Sequence, residues 1–213
     1  MKNIFVSFLM LLVGAFSLSA QHAMPAVDRP ESEELRTNMR KLWEDHVTWT
    51  RNVILCVIDD LPGTDQAVKR LLKNQDDIGN AIKPIYGDDA GNQLTTLLRT
   101  HITQAADLLK AAKTNDKSAF DAINKEWFVN ADEISAFLSK ANPHWKLNDM
   151  KKMMHDHLSL TIEEAVARQK KDYEADVVAY DKVHDEILAM ADMLSDGIIK
   201  QFPDRFAMAK SKR

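Results

Sequence analysis

The sequence predicts an all-α fold, namely an up-and-down helical bundle of four main helices with short connecting helices and an extra C-terminal helix. Apolar residues recur every three or four positions over long stretches, which is the spacing of one face of an α-helix. No long stretch alternates apolar and polar residues at the period of two that is typical of a half-buried strand. The 213 residues include only six glycines and six prolines, and none of them lies between His144 and Asp196.

The N-terminal residues 1–20 are predicted to be a cleavable signal peptide. Lys2 provides a positive start, residues 4–16 form an apolar run that is too short to span a bilayer comfortably, and Ser17–Ala20 offers small residues for cleavage. The mature protein is therefore expected to be periplasmic or secreted, with no integral membrane span after cleavage. An uncleaved N-terminal anchor is the alternative.

Composition and charge favour one soluble domain that does not bind nucleic acid. Hydrophobic residues make up 45% of the chain and charged residues 28%, with a formal net charge of -4. Proteins that bind nucleic acid usually carry a basic face, so no nucleic-acid partner is expected. The expected division of the chain is signal peptide 1–20, linker 21–32, helical bundle domain 33–202 and basic C-terminal tail 203–213.

The first long helix is predicted over residues 33–59, with Ser32 as its N-cap. The Leu61–Thr64 turn ends this helix because it combines proline and glycine. Two short helices, over 64–72 and 76–82, are expected to connect it to the next long helix.

Three further long helices are predicted, over 88–113, over 117–141 and from 147 onwards. A single helix over 147–201 would be about 82 Å long, whereas the others are about 38 Å long. A break near residues 170–176 is therefore favoured. The alternative is a projecting helix that pairs with a second copy, giving a homodimer through the C-terminal helix.

A polar layer is predicted at mid-height of the bundle. His46 and His101 lie near the midpoints of the first two long helices, on stripes that are otherwise apolar. Asn130, His157 and Glu164 lie at similar heights on the next two. Helix midpoints meet in an antiparallel bundle whichever way each helix runs. Because a buried imidazole costs free energy unless its nitrogens find partners, we expect these side chains to converge.

This layer fits a transition-metal site. Imidazoles suit zinc, iron or copper, and a carboxylate can complete the coordination, so the predicted ligands are His46, His101, His157 and Glu164. If the site is catalytic, the metal is expected to act as a Lewis acid with Glu164 as a ligand or base. The chain has no Glu-x-x-His, His-x-x-x-His or Cys-x-x-Cys motif that would indicate one particular metal site.

Two other interpretations of the layer remain open. A small ligand could bind there in place of a metal, with Trp49, Asn130 and Thr161 as its predicted contacts. Alternatively, the histidines form a hydrogen-bond network that only fixes helix packing, and the protein is a non-catalytic structural or interaction module. The residues do not decide whether the protein is an enzyme, and no catalytic residue is predicted.

Three smaller features have a preferred structural interpretation. The segment 150–157 combines thioether and imidazole groups, which can select Cu(I), but its methionines also fit a core stripe, which we favour. Cys56 is the only cysteine, so no internal disulfide can form, and it is expected to be a small buried hydrophobic residue. Arg51 is expected to form an exposed ion pair with Glu164, with anion binding as the alternative.

Several short sequence motifs resemble those of one family. The motifs are LWEDHVTWTR at 42–51, IYGD at 85–88, WFVNADEI at 127–134, DH at 156–157, EAV at 164–166 and GIIKQF at 197–202. Together they resemble a family of uncharacterised bacterial helical-bundle proteins, some of which carry the label acetylglutamate kinase. The resemblance covers about residues 35–202 and implies the helical fold without an established chemistry.

The kinase label is not expected to apply to this chain. Amino-acid kinases of that type are α/β proteins with glycine-rich phosphate-binding loops. The chain has six glycines, no glycine-rich loop and no strand pattern. The expected export would also separate the protein from cytoplasmic ATP.

Overall fold

Six long helices and one short helix make up the described part of the protein. The computed structural model describes residues 30–206, which form α1 (Glu31–Ile58), α2 (Thr64–Tyr86), α3 (Asp88–Lys113), α4 (Lys117–Ala141), α5 (Leu147–Gln169), α6 (Tyr173–Gln201) and α7 (Pro203–Phe206). These residues include no strand, and the predicted all-α bundle is confirmed. The expected signal peptide, most of the linker and residues 207–213 lie outside the described residues.

The helices form a closed ring of three antiparallel hairpins, α1–α2, α3–α4 and α5–α6. Each long helix packs against the next one along the chain, and α6 returns to pack against α1. Helices α1, α3 and α5 also contact one another, so they form an inner triangle. Side chains at mid-height of α1, α3 and α5 can therefore meet at the centre of the molecule.

The three hairpins turn at corresponding residues. The first helix of each hairpin is followed by a residue in the left-handed conformation, namely Asp60 (φ 56°), Asn115 (φ 56°) and Lys171 (φ 60°). The next amide in each turn donates to the carbonyl five residues earlier: Leu61 N to Cys56 O, Asp116 N to Ala111 O and Asp172 N to Ala167 O. The turn residues recur at intervals of 55 and 56 positions, so the hairpins are three copies of one structural unit.

The segment from Thr64 to Tyr86 corrects one part of the prediction. It forms a single helix of 23 residues rather than two short connecting helices, and Pro84 lies within its last turn. The polar run 73–76 resembles a connection, but Asn74 and Gln75 are buried and hydrogen-bonded inside the bundle. The bundle therefore contains six long helices, instead of the four main helices and one C-terminal helix that the sequence predicts.

The other predicted helix boundaries agree closely with the structure. The expected break after residue 170 is confirmed, because α5 ends at Gln169 and α6 begins at Tyr173. At the start of α1 the N-cap is Pro30 instead of Ser32. None of the helices within residues 30–206 combines the length and the apolar character that a membrane span requires.

Two helical glycines allow α2 and α3 to pack closely. A Cβ atom on Gly79 would lie 2.7 Å from the carbonyl oxygen of Gly91, and one on Gly91 would lie 2.6 Å from the carbonyl oxygen of Gly79. Gly197 plays a similar part in α6, where the indole of Trp145 occupies the space that a side chain would need. These contacts explain why glycine occurs inside three of the helices.

Candidate functional site: a buried histidine centre

Three histidines from the inner helices are buried at mid-height of the bundle. His46 on α1, His101 on α3 and His157 on α5 are 3%, 3% and 4% exposed. The ring centroids of His46 and His157 are 5.7 Å apart. Burial, together with the smaller effect of the nearby His157, lowers the pKa of His46 well below its usual value and that of His101 to about 3. We call these three residues the histidine centre.

Each histidine meets a polar side chain from the second helix of its own hairpin. Nδ1 lies 3.2 Å from Gln75 Nε2 in His46, 2.9 Å from Asn130 Oδ1 in His101 and 2.9 Å from Glu186 Oε2 in His157. The partner follows its histidine by 29 residues in all three pairs. The repeat seen in the hairpin turns therefore extends to the histidine centre.

Hydrogen bonds determine the tautomers of His101 and His157. The amide nitrogen of Asn130 donates to the carbonyl of Leu97 at 3.2 Å, so Asn130 Oδ1 faces the ring and His101 Nδ1 is the donor. An ionised carboxylate can only accept, so His157 Nδ1 donates to Glu186. In their neutral form both rings therefore carry an unprotonated Nε2. Histidines that bind metals have this arrangement, in which the other ring N–H donates to a carboxylate or carbonyl group.

His46 has the opposite tautomer. Gln75 Nε2 also donates to the carbonyl of Leu71 at 2.9 Å, so the amide nitrogen faces the ring and His46 Nδ1 accepts. Gln75 Oε1 is buried without a hydrogen-bond partner among the described residues. The same amide nitrogen also donates to Asn74 Oδ1 at 3.1 Å. His46 would match the other two histidines only if Gln75 turned to accept from Nδ1, which would break its bonds to Leu71 and Asn74.

Further buried polar atoms around the centre lack partners within residues 30–206. They are Trp43 Nε1, Trp127 Nε1 and Glu186 Oε1. The Trp43 ring meets His46 edge-on with centroids 5.7 Å apart, and the Trp127 ring lies 5.0 Å from that of His101. Unpaired buried polar groups cost free energy. A bound ion with its own water, or another polar guest, would offer partners for these groups.

Glu164 lies in an ion-pair cluster beside the histidine centre. Arg51 donates to Glu164 Oε1 at 2.6 Å and to Asp176 Oδ1 at 2.8 Å. The Arg51 side chain is 19% exposed, whereas those of Glu164 and Asp176 are 1% exposed, so the predicted exposed ion pair is in fact buried. Burial raises the pKa of Glu164 to about 7, against the opposing effect of Arg51. The carboxylate that touches a histidine of the centre is Glu186.

The predicted contacts for a small ligand are divided between two places. Asn130 bonds to His101, and Thr161 is buried one turn from His157, to whose carbonyl it donates at 2.9 Å. Trp49 is half-buried against the second apolar cluster, with the guanidinium of Arg70 5.3 Å from its ring centroid. Trp49 therefore lies outside the histidine centre.

Sequence reasoning found the three histidines but missed two of their partners, Gln75 and Glu186. The buried face of α6 carries Val183, Ile187, Met190 and Leu194. Val177 on the same helix is 51% exposed, and His184 Nε2 lies 3.5 Å from Glu44 Oε1. The repeated interval between the histidines was the signal that could have revealed these partners.

Two small cavities lie on opposite sides of the histidine centre. Cavity I has a volume of about 30 Å³ and includes Thr50, Ala105 and Thr161 in its wall. Each of these residues follows one of the three histidines by one helical turn. Cavity II has a volume of about 20 Å³ and includes Trp43, Leu98 and Met154, which precede the same histidines by three residues.

The methionine-rich segment and Cys56 have structural roles. Met150 and Met154 are buried in the main apolar cluster. His155 points away from them, with Nε2 2.9 Å from Asp132 Oδ1. Cys56 is a free, partly buried thiol beside the second apolar cluster. The favoured core interpretation of the methionines is therefore confirmed.

Within residues 30–206, no three His, Cys, Asp or Glu side chains are already arranged as ligands of one metal ion. Comparisons with protein-family models, with curated proteins and with solved structures find no match for this chain. The family resemblance of the sequence motifs stays a prediction. The geometry of the histidine centre is therefore the basis for a functional proposal.

Proposed function

We propose that the protein binds one transition-metal ion, zinc, iron or copper, through Nε2 of His46, His101 and His157. The observation that carries this proposal is the pair of hydrogen bonds at His101 and His157. Asn130 and Glu186 hold the Nδ1–H groups of these rings, so both Nε2 lone pairs are free in a buried position. The second helix of each hairpin thus orients a ligand carried by the first.

The spacing of the His46 and His157 rings is close to that of two imidazoles bound to one ion. Two imidazoles bound to one tetrahedral ion, with metal–nitrogen distances of about 2.0–2.1 Å, have ring centroids about 5 Å apart. The observed separation of 5.7 Å between His46 and His157 is close to that value. Coordination by all three rings requires side-chain rotations, and it requires the neutral His46 ring to carry its proton on Nδ1.

The size of the surrounding space favours an ion over an organic ligand. One water needs about 10–15 Å³, and the two adjacent cavities measure about 30 Å³ and 20 Å³. An organic cofactor would require the helices to separate. Three protein ligands also leave a fourth coordination position for a small molecule, as in catalytic zinc sites.

The proposal also assigns roles to Glu164, Glu186 and the expected signal peptide. Glu164 is engaged by Arg51 and is not part of the proposed ligand set, whereas Glu186 supports His157. The expected signal peptide over residues 1–20 would place the metal protein in the periplasm or outside the cell.

The test is the metal content of untagged protein purified without chelators, measured by mass spectrometry. We expect close to one ion per chain in the wild type and loss of that ion in His46→Ala and His157→Ala. His155→Ala is the matched control, because His155 lies on the same helix but its side chain is 42% exposed and pairs with Asp132.

A chain that contains no metal, and takes up none when titrated with zinc, iron or copper salts, would contradict the proposal. The histidine layer would then serve only to fix helix packing, and the protein would be a non-catalytic structural or interaction module. Circular dichroism of each variant separates loss of the ion from loss of the fold.

A further inference from the structure

Cavity I lies one helical turn from the histidine centre. Its wall comes from α1, α3, α4 and α5, and includes the residues one turn beyond all three histidines. Trp127, whose ring lies 5.0 Å from that of His101, is also part of the wall. At about 30 Å³, the cavity has about twice the space that one water needs. A molecule of two heavy atoms therefore fits in cavity I.

The surface that cavity I presents to a guest is apolar, although Trp127 Nε1 has no hydrogen-bond partner among residues 30–206. Its hydroxyl groups belong to Thr50 and Thr161, and both donate to carbonyls of their own helices, at 2.8 Å to His46 O and 2.9 Å to His157 O. The other wall residues are aliphatic or aromatic: Ile54, Ala105, Leu108, Leu109, Ala112, Phe120, Trp127, Ile162, Ala165 and Val166. An ion would lose its hydration there without compensation, whereas apolar cavities accept uncharged guests such as xenon.

Cavity I shares part of its wall with an open surface pocket. This pocket has a volume of about 290 Å³ and lies at the turn between α3 and α4, against the end of α5. Ala112, Phe120 and Val166 line both spaces. Of the three, only Phe120 has a long side chain that can swing aside by rotation about χ1. It lies in the first turn of α4, half-buried, and its amide bonds to the carbonyl of Asp116.

We infer that cavity I binds a small uncharged molecule of the size of dioxygen, which enters from the surface pocket past Phe120. The inference rests on the proposed metal centre for its purpose, since cavity I would supply the molecule that takes the fourth coordination position. Cavity II provides an internal comparison, because its wall shares no residue with that surface pocket.

The first test uses dissolved dioxygen as the probe on metal-free full-length protein with ¹³C-labelled methyl groups. Dioxygen is paramagnetic and speeds the relaxation of methyl protons that it approaches. We expect the methyls of Ile54, Leu108 and Ala165 to show an oxygen-dependent relaxation several times that of Ile78 and Leu94 in cavity II. An oxygen effect at cavity I no larger than that at Leu158 and Ile187, which are buried but line neither cavity, would overturn the inference and make cavity I a packing defect that holds nothing.

The variant Ala105→Leu extends this test, because it places three more carbon atoms in the wall of cavity I. We expect the oxygen effect at Ile54 and Leu108 to disappear while the fold, checked by circular dichroism, is retained. An unchanged oxygen effect would mean that the gas does not occupy cavity I. Should this variant fail to fold, the wild-type comparison with Leu158 and Ile187 still decides the question.

The route of entry is tested by thiol labelling of Thr161→Cys in a Cys56→Ser background. The new thiol lies in the wall of cavity I and is labelled with methyl methanethiosulfonate, a small neutral reagent. Phe120→Ala should raise the labelling rate at least tenfold. Phe137→Ala is the matched control, since Phe137 is also half-buried on α4 but lines a separate groove with Leu97 and Lys140. Equal rates in the two variants would overturn entry past Phe120.

Both tests are independent of the metal. If the protein binds no metal but concentrates dioxygen in cavity I, the proposed function is wrong and the inference about cavity I stands. If the protein binds its metal but shows no oxygen effect, the metal proposal stands and the inference about cavity I is wrong.

Discussion

Glu186 determines which nitrogen of His157 faces the centre of the bundle. Its carboxylate lies 2.9 Å from Nδ1, whereas the corresponding partners of the other two histidines are the neutral amides of Gln75 and Asn130. A carboxylate partner orients the ring and raises the basicity of its other nitrogen. Within the proposed metal centre, His157 is therefore expected to be the strongest of the three ligands.

Replacing this carboxylate by an amide should weaken metal binding without removing a ligand. We expect Glu186→Gln to reduce the affinity by about 10–100-fold, the usual effect of altering a residue that supports a metal-bound histidine. Competition with a chromophoric chelator measures the change. Asp185→Asn is the control, because it makes the same change of charge on an exposed neighbour. Equal affinities for the two variants would show that the contact with His157 has no such role.

At the scale of the helical elements, the turn between α5 and α6 contains a strained residue. Lys171 has φ 60°, and a side chain with a Cβ atom costs about 1–2 kcal/mol in the left-handed region. The equivalent positions in the other two hairpins are Asp60 and Asn115, residue types that tolerate this conformation better.

Glycine at position 171 should therefore stabilise the protein. We expect Lys171→Gly to raise the free energy of unfolding by about 0.5–1 kcal/mol, since the relief of strain exceeds the entropy lost by glycine. Lys170→Gly is the matched control, because Lys170 has φ -74° and gains nothing from glycine. Urea unfolding of metal-free protein gives both values. A gain in the control, or none at position 171, would contradict the assigned turn geometry.

The helices and the histidines could be predicted from sequence because each leaves a local pattern. Apolar spacing located five of the long helices, and His46, His101 and His157 interrupt apolar stripes. The failures involve polar residues that are buried by partners distant in sequence. Asn74 donates to the carbonyl of Leu42, and the sequence around Asn74 does not predict that contact.

Glu186 illustrates the same limit at the site. It lies beside Ile187 on α6, and an acidic residue next to an apolar stripe usually faces solvent. Only the packing of α6 against α5 brings it to His157. The residue that pairs with each histidine follows from the threefold repeat of hairpins, which is visible once the 29-residue spacing is recognised.

For the whole molecule, the buried histidines make stability depend on pH. An unfolded histidine has a pKa of about 6.5, whereas burial lowers the pKa of His46 well below that value and that of His101 to about 3. Below pH 6.5 the unfolded chain binds protons that the folded chain excludes. The stability from these two groups is thus complete above pH 6.5 and is lost as the pH falls.

Glu164 acts in the opposite direction. Burial raises its pKa from 4.5 to about 7 in the folded protein. Its contribution to stability is therefore complete below the unfolded pKa and is lost as the pH rises through about 7. Between pH 6 and pH 5, the stability lost through the two histidines is partly offset by the stability gained through the one carboxyl group.

The expected net result is a fall in the free energy of unfolding of about 1 kcal/mol from pH 6 to pH 5. His101→Gln should remove most of this pH dependence, because the effect of the remaining His46 is then offset by that of Glu164. Glu164→Gln should increase it to about 2–3 kcal/mol over the same interval. Urea unfolding of the metal-free proteins at pH 7, 6 and 5 measures the three slopes. Identical slopes in all three proteins would contradict the assignment of these buried groups.

The packing of α6 against α1 places the two ends of the described chain on the same side of the ring. Arg36 pairs with Asp196 and Arg40 with Asp192, so the start of α1 lies beside the end of α6. The polypeptide should therefore tolerate a circular permutation, which changes the hairpin that comes first in the chain. A circular permutant that begins at Asp88, ends at Gly87 and joins Phe206 to Pro30 through a flexible linker of about ten residues should fold to the same helical content by circular dichroism.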